Sequence, residues 1–382
     1  MPTIPPAENS RTVDLPLPHG VSRRAFLGFC SAVTAALALP EAMTPRIAHA
    51  VASAPRLPVV WLATQDCTAD TESFLRSVDP GVGSLLFDVI SLDYHETLMA
   101  AAGARAESSL DDVLASGQDF VCVVEGSIPL ADGGVHCTIG GRTAVSIVQE
   151  VTAKALFTMA VGSCATDGGI AAARPNPTGA TGVAGAVPGI TNLVNLPGCP
   201  ANGVNITAAL VYYLTFRELP PLDAAGRPLF AYEQRIHGSG RCERYPFLQA
   251  GQTVEAWGDE GHRNGWCLVH MGCRGPSTYA NCYQRNWNET TWPIGAGAPC
   301  IGCTSPRFWD VNSPFYVYRQ RTTTSATSTS PSGDQPTTTS ADDATTTTAA
   351  TTTAATTTTA ATAATTTATT TTVPPTVTST GS

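Results

Sequence analysis

Phe120-Val121-Cys122-Val123-Val124-Glu125-Gly126-Ser127-Ile128-Pro129 is the stretch whose reading decides the fold. Five apolar residues run without a polar interruption and end on a carboxylate and a glycine. Apolar side chains at consecutive positions fit a strand covered on both faces, which is the habit of parallel sheets. Val59–Ala63, Phe87–Leu92 and Leu156–Val161 repeat the pattern on either side. Helical patterns near Asp70–Ser77, Leu110–Ser116 and Thr143–Ala155 fall between these runs. Strand and helix in alternation predict an α/β domain built on a parallel sheet. Ile206–Phe216 reads as a further helix before Pro220-Pro221, so the domain is expected over 51–225.

Three of the strands end on residues with chemistry. Cys67 lies just past Ala63, Glu125 just past Val124 and Cys164 just past Val161. Open α/β sheets bind ligands outside the carboxyl ends of their strands, at the point where strand order reverses. Two thiols from separate strands should therefore meet in one crevice. Cys199, in the turn Pro197-Gly198-Cys199-Pro200, is a candidate third.

Over 226–318 the periodicity fades while Gly and aromatic residues increase, and six cysteines follow: Cys242, Cys267, Cys273, Cys282, Cys300 and Cys303. Some 90 residues with little regular structure lack an ordinary core and need staples. Disulfides, an iron–sulfur site and zinc are the three possibilities. The pair Cys300-Ile301-Gly302-Cys303 favours metal, and so does an odd count: without Cys30, eleven of the twelve cysteines remain.

The flanks read differently. Ser22-Arg23-Arg24-Ala25-Phe26-Leu27 opens a twin-arginine pattern, Phe26–Leu39 carries no charge, and Ala48-His49-Ala50 is a small-x-small cleavage site. Residues 1–50 are expected to be an export signal, with an apolar core too short to span a bilayer. Residues 319–382 are almost entirely Thr, Ala, Ser and Pro, which cannot bury enough apolar surface to fold; they read as a disordered, mucin-like tail. Charged residues make up 13% of the 382, with 21 Lys plus Arg against 30 Asp plus Glu and a net charge of −9. No basic excess exists to hold a phosphate backbone, so nucleic acid is excluded as a partner.

The ordered series Trp61…Gln65-Asp66-Cys67-Thr68, Val124-Glu125-Gly126-Ser127-Ile128-Pro129, Gly162-Ser163-Cys164-Ala165, Leu196-Pro197-Gly198-Cys199-Pro200, Gly272-Cys273-Arg274-Gly275-Pro276 and Pro299-Cys300-Ile301-Gly302-Cys303 resembles the small, electron-transferring subunit of [NiFe] hydrogenases. The resemblance covers Pro58 to Tyr318. It implies a flavodoxin-like parallel-sheet domain followed by a small, irregular, cysteine-rich domain. It also implies three clusters in a row. A proximal [4Fe–4S] cluster would use Cys67, Cys164 and Cys199. A distal [4Fe–4S] cluster would use His237, Cys242, Cys267 and Cys273. A medial [3Fe–4S] cluster would use Cys282, Cys300 and Cys303, with Pro293 where a fourth thiolate would otherwise stand. The implied partners are the nickel- and iron-bearing large subunit and a redox acceptor such as a cytochrome or a membrane quinone-linked protein. The implied place is the periplasm or the outer face of the membrane, with the tail available for the cell wall.

Departures from the family pattern set the open questions. Where the family has C-x-x-C, this chain reads Cys67-Thr68-Ala69-Asp70, so Asp70 is expected to ligate the fourth proximal iron. A three-thiolate site with water or an open iron, or an ordinary helix cap, are the alternatives. The positions that carry additional thiols in oxygen-tolerant members are Ala69 and Gly169 here, so the six-thiolate cluster is not expected. His237 is separated from Cys242 by four residues where the family has two, leaving His262 and His270 as alternative ligands. Cys122 reads as a core residue and Cys137 has no assigned role. Glu125 and Glu72 are either proton relays or buried structural carboxylates. Two rival functions stand beside the hydrogenase: an iron–sulfur module of another redox complex, and a disulfide-stapled surface protein without metal.

Overall fold

The computed structural model describes residues 22–78, 81–287 and 290–318. The tail over 319–382 and the first part of the export segment lie outside them. Five parallel strands form the central sheet: β1 (Leu57–Ala63), β2 (Ile90–His95), β3 (Val121–Glu125), β4 (Thr158–Val161) and β5 (Leu193–Leu196). Their spatial order, β2-β1-β3-β4-β5, is the flavodoxin-like one. Strand order therefore reverses between β1 and β3, the strands that lead to Cys67 and Glu125.

Among the described residues, the helices of six or more residues are α1 (Arg23–Ala36), α2 (Thr44–Ser53), α3 (Ala69–Leu75), α4 (Ala104–Ser116), α5 (Ala144–Lys154), α6 (Gly162–Asp167) and α7 (Gly203–Phe216). Side chains alternate between two cores, as the period of a strand demands. Val59, Trp61, Val121, Val123, Met159 and Val161 enter the layer that holds α7, α1 and α2. Val60, Leu62, Cys122, Val124 and Ala160 enter the opposite layer, which holds α4 and α5. Cys122 is fully buried there, as a core residue.

Two readings shift. The run Phe87–Leu92 is not one strand, because Leu85–Val89 forms a π-type turn and β2 begins at Ile90. The strand β5 carries no strong signal in sequence: it has four residues, Asn195 interrupts it, and only Val194 and Leu196 are buried. Residues 226–318 are irregular as expected. Their helices span only three to five residues, for example Leu229–Tyr232, Tyr245–Gln249 and Glu260–Arg263. A small core of Ile236, Val254, Leu268, Met271, Trp292 and Ile294 holds this part together. Among the described residues no helix is long and apolar enough to cross a membrane.

Candidate functional site: three groups of thiols

The loop after β1 is aimed by the loop after β3. Gln65 and Ser127 exchange backbone hydrogen bonds of 3.0 Å in both directions, continuing the pairing past the sheet end. Gly126 has φ +97°, and a Cβ on it would lie 2.8 Å from the Gln65 backbone, so the two loops close only over glycine. Beyond this zip Thr68 turns left-handed (φ 61°), its N–H held at 3.0 Å by the Asp66 carboxylate, and α3 begins. Cys67 is left exposed at that corner.

Asp70 sits in the first turn of α3, 7% exposed. Its Oδ1 accepts the Ala201 N–H at 2.6 Å, two residues past Cys199. Its Oδ2 faces Gly162, where a Cβ would come within 2.1 Å, so glycine there is a condition for the carboxylate's position. Burial, and then the charge of Glu125, hold the Asp70 carboxyl well above the usual carboxylate range. Asp70 is therefore no ordinary surface cap.

Cys164, on the first turn of α6, and Cys199 are both pushed up to about 12, chiefly by burial. Each is further raised by the other members of one group: Cys67 and Asp70 act on both, and Cys199 acts on Cys164. Four donors from three loops thus stand within electrostatic reach, and their surroundings make Asp70, Cys164 and Cys199 harder to ionise. Such a set ionises fully only around a cation. Gly169 (φ +58°) completes the cradle, since a Cβ there would stand 2.3 Å from the Cys164 sulfur.

Glu125 lies beneath this group, 1% exposed. Its Oε1 accepts the N–H groups of Asp70 (3.0 Å) and Thr71 (3.1 Å). Its Oε2 accepts the Trp61 indole N–H (3.0 Å) and the Thr71 hydroxyl (2.5 Å). With four donors on two oxygens this carboxylate is a strut that holds the start of α3. Glu72 instead points outward, 62% exposed and paired with Arg76.

A second group surrounds a cavity of about 140 Å³ lined by Cys282, Cys300 and Cys303, with Trp292, Pro293 and Tyr316 in its walls. These three thiols share a mostly apolar lining with Pro293, Thr278 and Thr304. Cys199 reaches the same cavity, so the first and second groups adjoin. Ser163 joins them: its hydroxyl accepts the Gly198 N–H at 3.1 Å and donates to the Cys303 carbonyl at 2.5 Å.

In the third group Cys267 acts electrostatically on Cys242, both act on Cys273, and burial raises all three. His237 is partly buried, its ring edge-on to Tyr245 at 4.9 Å, and burial followed by the Arg241 charge lowers its affinity for a proton. A neutral imidazole is what a metal ligand requires. The intervening Gly238-Ser239-Gly240-Arg241 folds back as a turn, with the Cys242 N–H on the Gly238 carbonyl at 3.1 Å. His262 has both ring nitrogens engaged by the backbone, at Gly258 N–H (3.2 Å) and Gly297 O (2.9 Å). His270 pairs with the exposed Glu255 at 2.6 Å. His262 has no ring nitrogen left to ligate, whereas the Glu255 contact of His270 uses only its Nδ1.

A regularity that leaves no trace in the side-chain pattern links these groups. The Gly302 N–H donates at 3.3 Å to the sulfur of Cys300, two residues back, and the amides of Arg244, Val269 and Gly275 favour the thiolates of Cys242, Cys267 and Cys273 at the same spacing. Amide hydrogen bonds to sulfur favour the thiolate and are a lever on the potential of a bound cluster. All twelve cysteines are free thiols, so no disulfide staples the irregular segment. Among the described residues no three Cys, His, Asp or Glu side chains close round a single ion. Cys137 is partly buried in the turn before α5, with Asp66 and Glu96 as its charged neighbours.

Comparison with known proteins agrees with this geometry. Residues 67–213 match the family described as NADH ubiquinone oxidoreductase, 20 Kd subunit. Residues 232–316 match the family described as the C-terminal part of the NiFe/NiFeSe hydrogenase small subunit. The periplasmic [NiFe] hydrogenase small subunit 1 of Nitratidesulfovibrio vulgaris is 45% identical over 299 residues, 78% of this chain and 94% of the relative. The quinone-reactive Ni/Fe-hydrogenase small chain of Wolinella succinogenes is 43% identical over 302 residues, 78% of this chain and 84% of the relative. A solved chain of the Ni-Fe-Se hydrogenase from Desulfomicrobium baculatum superposes with a TM-score of 0.64 at 34% identity, covering 69% of this chain and 100% of its own. With both halves matched in order and relatives of this identity covered almost end to end, the chain belongs to the small-subunit family of [NiFe] hydrogenases.

Proposed function

We propose that this small subunit is exported and carries electrons released from H₂ at a separate large subunit to an acceptor outside the cytoplasm. The observation that carries the reading is the three groups of free thiols, the first two adjoining. Cys67, Asp70, Cys164 and Cys199 would hold a proximal [4Fe–4S] cluster. Cys282, Cys300 and Cys303 would hold a medial [3Fe–4S] cluster, and His237, Cys242, Cys267 and Cys273 a distal [4Fe–4S] cluster. When bound, these groups supply one-electron chemistry, with potentials set by ligand type, hydrogen bonding and burial.

The chain's own residues prepare each place. Glu125 fixes the turn that presents Cys67 and Asp70. The i+2 amides favour the thiolate at four cysteines. Trp292, Ile236 and Pro293 give the medial cavity mostly apolar walls. An oxygen ligand at Asp70 keeps the charge of a thiolate but is harder and less covalent.

The twin-arginine pattern at Arg23-Arg24 supports export by that route, and a relative named periplasmic agrees with it. A relative named quinone-reactive supports a quinone-linked acceptor or cytochrome. The test is the iron, acid-labile sulfide and nickel content of the anaerobically purified native complex. Roughly 11 irons and 12 sulfides per small chain are expected, the sum over the three clusters, with nickel in the co-purifying partner. Iron and sulfide without nickel would leave only an electron-transfer module of another redox complex. Absence of iron and sulfide would end the proposal.

A further inference from the structure

The export segment is not detached from the fold. Helices α1 and α2 form a hairpin that lies on α7. Cys30, Val33 and Ile47 are wholly buried and Ala48 is 2% exposed, in the same apolar cluster as Leu210 and Leu214 of α7. Thr34 and Thr44 join their hydroxyls across the hairpin at 3.0 Å, and the Arg46 guanidinium lies 4.7 Å over the Phe216 ring at the end of α7.

Helix α7 itself points the same way. Gly203-Val-Asn-Ile-Thr-Ala-Ala-Leu-Val-Tyr-Tyr-Leu-Thr-Phe216 is apolar nearly all round, and such a helix needs cover on every side. The sheet covers one side. The α1–α2 hairpin covers another.

From this packing we infer that the outer face of α7 is the docking surface for the chain's own uncleaved export segment. The docked state presents the arginine pair while withholding the apolar run and the scission site. The inference rests on the export reading. Arg23 and Arg24 are exposed ahead of the buried part of α1. The Ala48-His49-Ala50 site lies inside α2, where the Ala50 carbonyl accepts the Ala54 N–H at 3.0 Å. A peptidase binds its substrate as an extended strand whose backbone groups are free to pair with the enzyme. A helical, half-buried site offers neither, so scission reads only the undocked population.

The test is hydrogen exchange on the uncleaved, cluster-loaded full chain. Isolated helices of 10 to 14 residues are marginal in water, so slow exchange there reports docking. Amides of α1 and α2 should exchange at least about 100-fold slower than in the free 22–53 peptide. Rates within about threefold of that peptide, with α7 still protected, would overturn the inference. Phe216→Ala alters the dock and leaves the signal intact. It should raise α2 exchange several-fold and speed cutting at Ala50 by purified signal peptidase by a similar factor, with β3 and β4 unchanged. Equal cutting rates in the two chains would also refute it. The export reading is tested separately by Arg23→Lys with Arg24→Lys. A protected segment whose export ignores that change keeps the dock and loses the route. An unprotected segment whose export needs the pair keeps the route and loses the dock.

Discussion

Replacing Glu125 by Gln separates a strut from a proton carrier. The carboxylate accepts four hydrogen bonds, two on each oxygen, in a site 1% exposed. Gln keeps shape and volume but turns one acceptor into a donor. With the amide oxygen left on the Asp70 and Thr71 N–H groups, the –NH₂ faces the Trp61 indole and the Thr71 hydroxyl. The hydroxyl can rotate to accept, having the His95 Nε2 at 3.2 Å as its other neighbour. The indole N–H cannot, and it is stranded. A hydrogen bond to a charged group contributes about 1.5–3 kcal/mol, and a stranded buried donor costs about 1–3 kcal/mol. Part of the two effects is one and the same loss, so the expected cost is about 3 kcal/mol. For a fold of this size that lowers the melting temperature by roughly 6–12 °C. Melting of the purified complex, followed by the loss of visible cluster absorbance, reads this directly, and the proximal spectroscopic signal should broaden with it. An unchanged melting temperature together with slowed turnover and a solvent isotope effect would refute the strut and make Glu125 a proton carrier.

Asp70→Ala should alter the proximal signal and leave the medial and distal signals untouched; an unchanged proximal spectrum removes Asp70 from the ligands. Gly169→Ala places a methyl 2.3 Å from the Cys164 sulfur at φ +58° and ψ −156°, a region essentially reserved for glycine that costs an L-residue about 1–3 kcal/mol, and proximal iron should fall in metal analysis. Cys122→Ala should retain every cluster signal and lower stability by about 1 kcal/mol, as a small core truncation does, measured by urea titration. Burial lifts the Glu96 carboxyl to about 7 from its ordinary 4.5. The folded chain then keeps a proton that the unfolded chain has released, so stability is whole below pH 4.5 and declines as pH rises to 7. Glu96→Gln should remove that decline, about 2 kcal/mol for this partly exposed group, seen by comparing urea midpoints at about pH 5 and about pH 8.

The residues that reveal most in sequence are those whose physics is local. Val121–Val124 needs cover on both faces whatever surrounds it, and so betrays a parallel sheet. Cys67, Cys164 and Cys199 follow strand ends, so topology alone brings them together. Other features depend on partners distant along the chain. Whether Asp70 is buried depends on Ala201 and Gly162, far along the chain from it. Phe26–Leu39 reads as an export core because an apolar run looks the same whether it enters a translocase or lies on α7. The amides that favour the thiolates at i+2 belong to backbone conformation and leave no mark on side-chain pattern. The strand β5 escaped because an edge strand of four residues, only two of them buried, carries too few apolar positions to register.

Ser163 has a consequence of another kind. One hydroxyl, on a residue 2% exposed, ties the turn before Cys199 to the carbonyl of Cys303. Electron tunnelling decays exponentially with the gap to be crossed, so breathing between two halves of a protein is felt as noise in the current. A covalent link between the halves would suppress that breathing but would have to form in a chain that still carries free thiols. A buried hydroxyl gives the same stiffness with no redox chemistry of its own. On the proposed cluster path it is a spacer that sets the tolerance of the junction, and the loss of a single oxygen atom in Ser163→Ala would loosen that junction without removing any proposed ligand.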